Sequence, residues 1–76
     1  MRQYLLECNN SPRIMSILFH SLRAECGRRG RRFLVLRESP TEIVIESDCD
    51  IVIMEQVVVA VREESFLGEH FLCTLI

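Results

Sequence analysis

The chain has 76 residues, 49% of them hydrophobic and 26% charged, a balance that builds a globular domain and excludes a disordered one. Nine basic and eleven acidic side chains leave a net charge of −2, so no overall field draws the molecule to nucleic acid or to an anionic membrane. Every basic residue is arginine, a planar fork suited to carboxylates and phosphates.

The length sets a single α+β domain over 1–76. A domain of this size buries only about 60% of the surface its unfolded chain exposes, so its core gains from a partner. No segment is apolar for the roughly 18 residues a membrane span needs. The opening "MRQYLLECNN" lacks the apolar core and cleavage site of a secretory leader, so a cytoplasmic location is expected. Cys8, Cys26, Cys49 and Cys73 stand far apart. Their even number leaves a disulfide framework as an alternative, but without a leader they read as reduced thiols buried as small hydrophobes.

In chain order, "RQYLLEC" (2–8) reads as a strand and "NNS" as a turn. Ser11 suits a helix N-cap and Pro12 the first helical position. From there Ile14, Met15, Leu18, Phe19, Leu22 and Cys26 recur at helical spacing, with Arg13, Ser16, His20 and Arg23 opposite. Gly27 is placed to end this helix. "RFLVLRE" (32–38) and "EIVIES" (42–47), joined by "SPTE", read as a hairpin. The stretch "DIVIMEQVVVAVREES" is two-sided. Its Val and Ile content favours strand. Its periodicity favours helix, with Glu55, Gln56, Arg62 and Glu63 on one arc and Ile53, Met54, Val57, Val58 and Val61 on the other. Ser47, Asp48 and Asp50 add the acidic start of a helix, which is the preferred reading. "EHFLCTLI" (69–76) closes the chain as a strand after a turn at Gly68.

The order βαββαβ predicts an α+β two-layer sandwich of ferredoxin-like type, a four-stranded antiparallel sheet with two helices on one face. The other face should then alternate with polar residues. It does so poorly: Leu5–Leu6, Phe33–Leu36, Ile43–Ile45 and Phe71–Cys73 are unbroken apolar runs. Either the strand limits lie elsewhere, or the open face packs against another copy or a protein partner. Val52 and Val59, seven apart on the polar side of the second helix, offer a further apolar stripe.

Few residues look chemical. "GRRGRR" places Arg28, Arg29, Arg31 and Arg32 in one turn, a candidate site for an anion or an acidic partner. Its G-x-x-G matches the backbone clamp of KH domains, but a strand follows where that fold needs a helix. No aromatic pair stands on the central strands to stack bases, which argues against nucleic acid. The plain alternative is a solvated turn whose arginines pair with Glu25 or Glu38. The cysteines and His20 and His70 show no metal-ligand spacing, so neither metal nor cofactor is expected. His70 has no evident base, nucleophile or orienting partner. The loop "ECNNSPRI" faces a helix N-terminus as in acylphosphatases, but lacks their glycine-rich cradle.

The segment "NNSPRIMSILFHSLRAECG" resembles the first loop and helix of ACT domains, small regulatory modules of this topology. Asn10, Pro12, Ile14, Met15, Leu18, Leu22 and Gly27 match the family pattern in kind. The resemblance implies an amino-acid effector at Asn10, Ser11, Pro12 and Arg13. Arg13 replaces the family's glycine, and so either blocks that site or offers its fork to a carboxylate.

The reading that results is a non-enzymatic interaction or regulatory module that associates as a homodimer or higher homo-oligomer. The alternative is a nucleic-acid-binding protein using the arginine turn. Steep salt dependence marks phosphate contacts and would separate the two.

Overall fold

The computed structural model describes residues 1–66 and 68–76, and the side chains of all of these except Phe66, Glu69 and His70. The sequence reading of His70 as a residue without a chemical partner therefore concerns a side chain outside the described residues. The elements are β1 (Arg2–Cys8), α1 (Pro12–Arg28), β2 (Phe33–Glu38), β3 (Glu42–Ser47), α2 (Ile51–Glu63), a small hairpin of β4 (Ser65–Phe66) and β5 (Glu69–His70), and β6 (Cys73–Leu75). The main sheet runs β2-β3-β1-β6, with every described pairing antiparallel. This is the predicted α+β sandwich of ferredoxin-like topology.

Each helix starts where a side chain can satisfy an orphan amide. Ser11 Oγ accepts from Ile14 N–H at 3.4 Å, with Pro12 at the first helical position. Asp50 Oδ1 accepts from Ile53 N–H at 2.9 Å. The amphipathic period and this cap outweigh the β-propensity of the Val-rich segment, so 51–63 is helix and not strand. Met54, Val57, Val58 and Val61 face inward, as do Ile14, Met15, Leu18, Leu22 and Cys26 of α1. They meet Tyr4, Leu6, Cys8, Ile43 and Ile45 of the sheet. The buried Tyr4 hydroxyl is satisfied by Cys49 O at 2.7 Å.

Two local expectations are corrected. Gly27 does not end α1. It lies inside the helix, and the chain turns at Gly30 with φ +67°. Gly30 N–H donates to Gly27 O (3.0 Å) and Arg31 N–H to Cys26 O (2.9 Å), the paired bonds of a Schellman cap. That pattern needs its left-handed residue two places after the last helical one, where Gly30 stands. The final strand is likewise not continuous over 69–76. Glu69–His70 pair back onto Ser65–Phe66 around Gly68, and only Cys73–Leu75 join the main sheet. Between them Phe71 drops into the core, and the backbone of Leu72 bonds to the Asn10 side chain instead of to a strand.

Candidate functional site

The buried residues of β1 and β3 alternate, Tyr4, Leu6 and Cys8 with Ile43, Ile45 and Ser47. Their neighbours therefore stand on the other face of the sheet. Pairing places Leu34, Glu46 and Gln3 in one row, Arg37, Val44 and Leu5 in the next, and Glu42, Glu7 and Thr74 in a third. Ile76 sits beside Leu5, its N–H donating to Leu5 O at 2.9 Å. The middle row thus continues as Val44, Leu5 and Ile76 across three strands. A bulge between Val35 and Arg37 frees Leu36 from the pairing on the edge strand. Leu34, Leu36 and Ile76 are 52%, 43% and 64% exposed, while Leu5 and Val44 are half-buried.

Polar and charged groups interrupt and border this apolar cluster: Gln3 and Glu46 share the Leu34 row and Arg37 the middle row. Glu7 and Glu42 stand directly opposite each other, an unfavourable pair of like charges, and Arg37 reaches Glu42 at 4.0 Å. On α2, Val52 and Val59 are both exposed, as the helical spacing predicted.

The loop before α1 has its own geometry. Asn10 Nδ2 donates to Leu72 O at 2.9 Å and its Oδ1 accepts from Leu72 N–H at 3.2 Å. Both ends of the amide are thus used in joining the β1–α1 loop to the start of β6. Ser11 is committed to the helix cap, and Pro12 has no amide to offer. Arg13 is exposed on the first turn. A shallow groove of about 360 Å³ lies beside these residues, between Pro12, Met15 and Phe19 of α1 and Glu38, Ser39 and Pro40 of the β2–β3 turn.

The arginine turn divides. Arg28 and Arg29 fold back onto Glu25, the latter at 3.3 Å, and Arg29 also donates to Gln56 at 3.3 Å. The Arg28 hydrogen bond holds the Glu25 carboxyl below its ordinary range. Glu25 is therefore the acid that answers this cluster, and Glu38, at the far end of β2, takes no part. Arg31 and Arg32 are exposed. The Arg32 amide, not its guanidinium, is held, by Asp48 at 2.8 Å. Ser47 Oγ donates to Arg32 O at 2.6 Å, so the turn is stitched to the β3–α2 connection at its backbone.

Among the described residues no group of His, Cys, Asp and Glu is placed to hold a metal ion. The four cysteines are buried and free. Sequence reasoning left them as separate core fillers, but the fold gathers them into two pairs. Cys8 and Cys73 are partners across β1 and β6. Cys26, in the last turns of α1, lies beside Cys49, which precedes α2. Burial, with Cys73 beside it, pushes the Cys8 thiol up to about 11, and burial with Cys49 beside it pushes Cys26 up to about 12. Each is therefore almost wholly protonated near neutral pH, with only a trace of thiolate.

The fold and this face define a class, a ferredoxin-like α+β sandwich with a partly apolar open sheet. No family model matches the chain, and no curated protein or solved structure shows significant similarity to it. None of the described helices is long and apolar enough to cross a membrane.

Proposed function

We propose that this protein is a non-enzymatic association module that pairs with a second copy of itself through the open face of its sheet. The observation that carries the reading is the band of Leu34, Leu36, Val44, Leu5 and Ile76. Leu34, Val44 and Leu5 stand on β2, β3 and β1 on the face opposite the buried residues, Ile76 just past β6 continues the row, and Leu36 is exposed at the bulge beside them, with Gln3, Glu46 and Arg37 interspersed. Fully burying such a side chain contributes roughly 1.5–3 kcal/mol. These five are already about half covered in the single chain, so burying the rest contributes about half of that each, which meets the lower part of the roughly 4–15 kcal/mol cost of bringing two chains together. A two-fold pair is the simplest assembly, because the same patch then serves both copies. The likeness to ACT domains, which are regulatory modules, supports association as the working mode. By the same likeness Asn10–Arg13 is the place for an amino-acid effector, with Arg13 the group suited to its carboxylate. Four reduced thiols suit a cytoplasmic location.

The test is the solution mass by sedimentation equilibrium at tens of micromolar protein, for the wild type and for Leu34→Glu. A dimer that Leu34→Glu converts to a folded monomer is the expected result. Leu34 is half-exposed in the single chain, so the charge costs the fold little. A folded wild-type monomer at that concentration overturns the reading.

A further inference from the structure

The pairing of Cys8 with Cys73 has a definite geometry. Cys8 N–H donates to Thr41 O at 2.8 Å on the β3 side, so its backbone amide points away from β6. On the β6 side the bond from Ile76 N–H to Leu5 O marks the Leu5–Ile76 pair as hydrogen-bonded. Bonded and non-bonded pairs alternate along an antiparallel ladder. Three positions on, Cys8 and Cys73 form a non-bonded pair. In such pairs the Cα atoms lie about 4.5 Å apart and the side chains are at their closest. That is inside the range of roughly 4.4–6.8 Å that a disulfide accepts.

Three further features favour bond formation at this place. Directly opposite residues share a face of the sheet, and both thiols point to the helix side, where Cys8 is 8% and Cys73 2% exposed. The two cysteines line a surface groove of about 370 Å³ with Glu7, Leu72 and Arg62, so a small reagent has a path to them. The two bonds between the Asn10 side chain and Leu72 hold the residue just before Cys73, which keeps β6 from slipping in register. Cys26 and Cys49 are also neighbours, but both are fully buried.

We propose that Cys8 and Cys73 are a cross-strand dithiol that closes to a disulfide by exchange with a small-molecule disulfide, of the oxidised glutathione kind, entering through this groove. Cys73 gives up its proton and its thiolate attacks one sulfur of the reagent. The reagent's S–S bond breaks, its other sulfur leaves as a thiolate, and a mixed disulfide forms on Cys73. Cys8 then gives up its proton and attacks Cys73 Sγ, expelling the second thiolate. The two released thiolates take up the two protons, so the protein loses two electrons and the reagent becomes two thiols. Burial pushes the Cys73 thiol up, and the nearby Arg62 charge offsets only part of that, so the exchange is slow near neutral pH and gains speed as pH rises. The bond ties the edge strand β6 to the central strand β1, leaving the open sheet face untouched.

The experiment uses the full reduced chain and oxidised glutathione, with free thiols then alkylated and the peptides mapped by mass spectrometry without reduction. The expected product is a single intramolecular bond between Cys8 and Cys73, reversed by dithiothreitol, with Cys26 and Cys49 alkylated only after unfolding. Its rate should rise up to about tenfold per pH unit from pH 7 to 9, because the thiolate is the attacking species. Cys8→Ser should instead accumulate a glutathione adduct on Cys73. If that variant does not fold, the wild-type map decides alone. Stable glutathione adducts on wild-type Cys8 or Cys73 without closure, a bond to Cys26 or Cys49, or no reaction of the folded protein would overturn the proposal.

Discussion

Asn10 spends both ends of its amide on the backbone of Leu72, across most of the chain's length. Its amide is thereby spent on holding the fold together. Asn10→Ala removes both bonds and leaves the Leu72 groups to water, a loss of about 1–2 kcal/mol. The urea midpoint should fall accordingly with no change in the slope of the transition. Titration of the thiols makes a second claim at this scale. The folded state holds the Cys8 and Cys26 thiols up to about 11 and about 12 from an ordinary value near 9. A raised thiol value means that the folded chain holds the proton more tightly than the unfolded one. The stability this gives is fully present below about pH 9 and is lost as pH climbs through 11 and 12. Each thiol then removes up to about 1.4 kcal/mol per pH unit inside that window. Urea midpoints should be lower at pH 10 than at pH 8 under reducing conditions, and an unchanged midpoint would contradict these buried protonated thiols.

The end of α1 offers a test by two glycines. Gly30 has φ +67° and closes the Schellman cap, whereas Gly27 has helical backbone and an added Cβ there would meet nothing within 4 Å beyond its own helix backbone and chain neighbours. Gly30→Ala should therefore cost about 1 kcal/mol, from strain in the left-handed region. Gly27→Ala should gain about 0.5–1 kcal/mol, because alanine loses less freedom in a helix and here meets open space. Thermal melts of the two variants should move in opposite directions. If Gly27 ended the helix, as local spacing suggests, its substitution would be the costly one. The β2 edge is also legible at this scale. Its bulge, with Arg37 and Glu38 after it, guards an exposed strand against indiscriminate pairing.

At the scale of the molecule, the helices and one sheet face form a closed core. The total accessible surface, 4641 Å², is near the roughly 4800 Å² of a compact monomer of this mass. The apolar band on the open face is thus an addition to a complete domain and not a gap in its core. This is why Leu34→Glu is expected to change the assembly while sparing the fold. The Cys8–Cys73 pair lies toward the helices, so the proposed pairing of sheets and the proposed thiol oxidation concern different faces and are tested by separate measurements.

Most of the architecture was legible in the sequence because its signals are local. The 3.6-residue recurrence from Ile14 to Cys26, the caps at Ser11 and Asp50, and the Ser39–Pro40 turn each act within a few residues. Together with the handedness of crossovers they leave few ways to join βαββαβ. The excess of apolar residues on the strands was equally visible, since a side chain's type needs no fold to be read. Tertiary structure decided what depends on partners distant in sequence. Strand register chose which of two adjacent apolar residues faced the helices, because a one-residue shift turns every side chain over. It also brought Cys8 opposite Cys73 and set the Asn10 amide on Leu72. Phe71, drawn into the core, broke the run that local pattern read as one strand, because burying an aromatic ring outweighs continuing a short edge ladder.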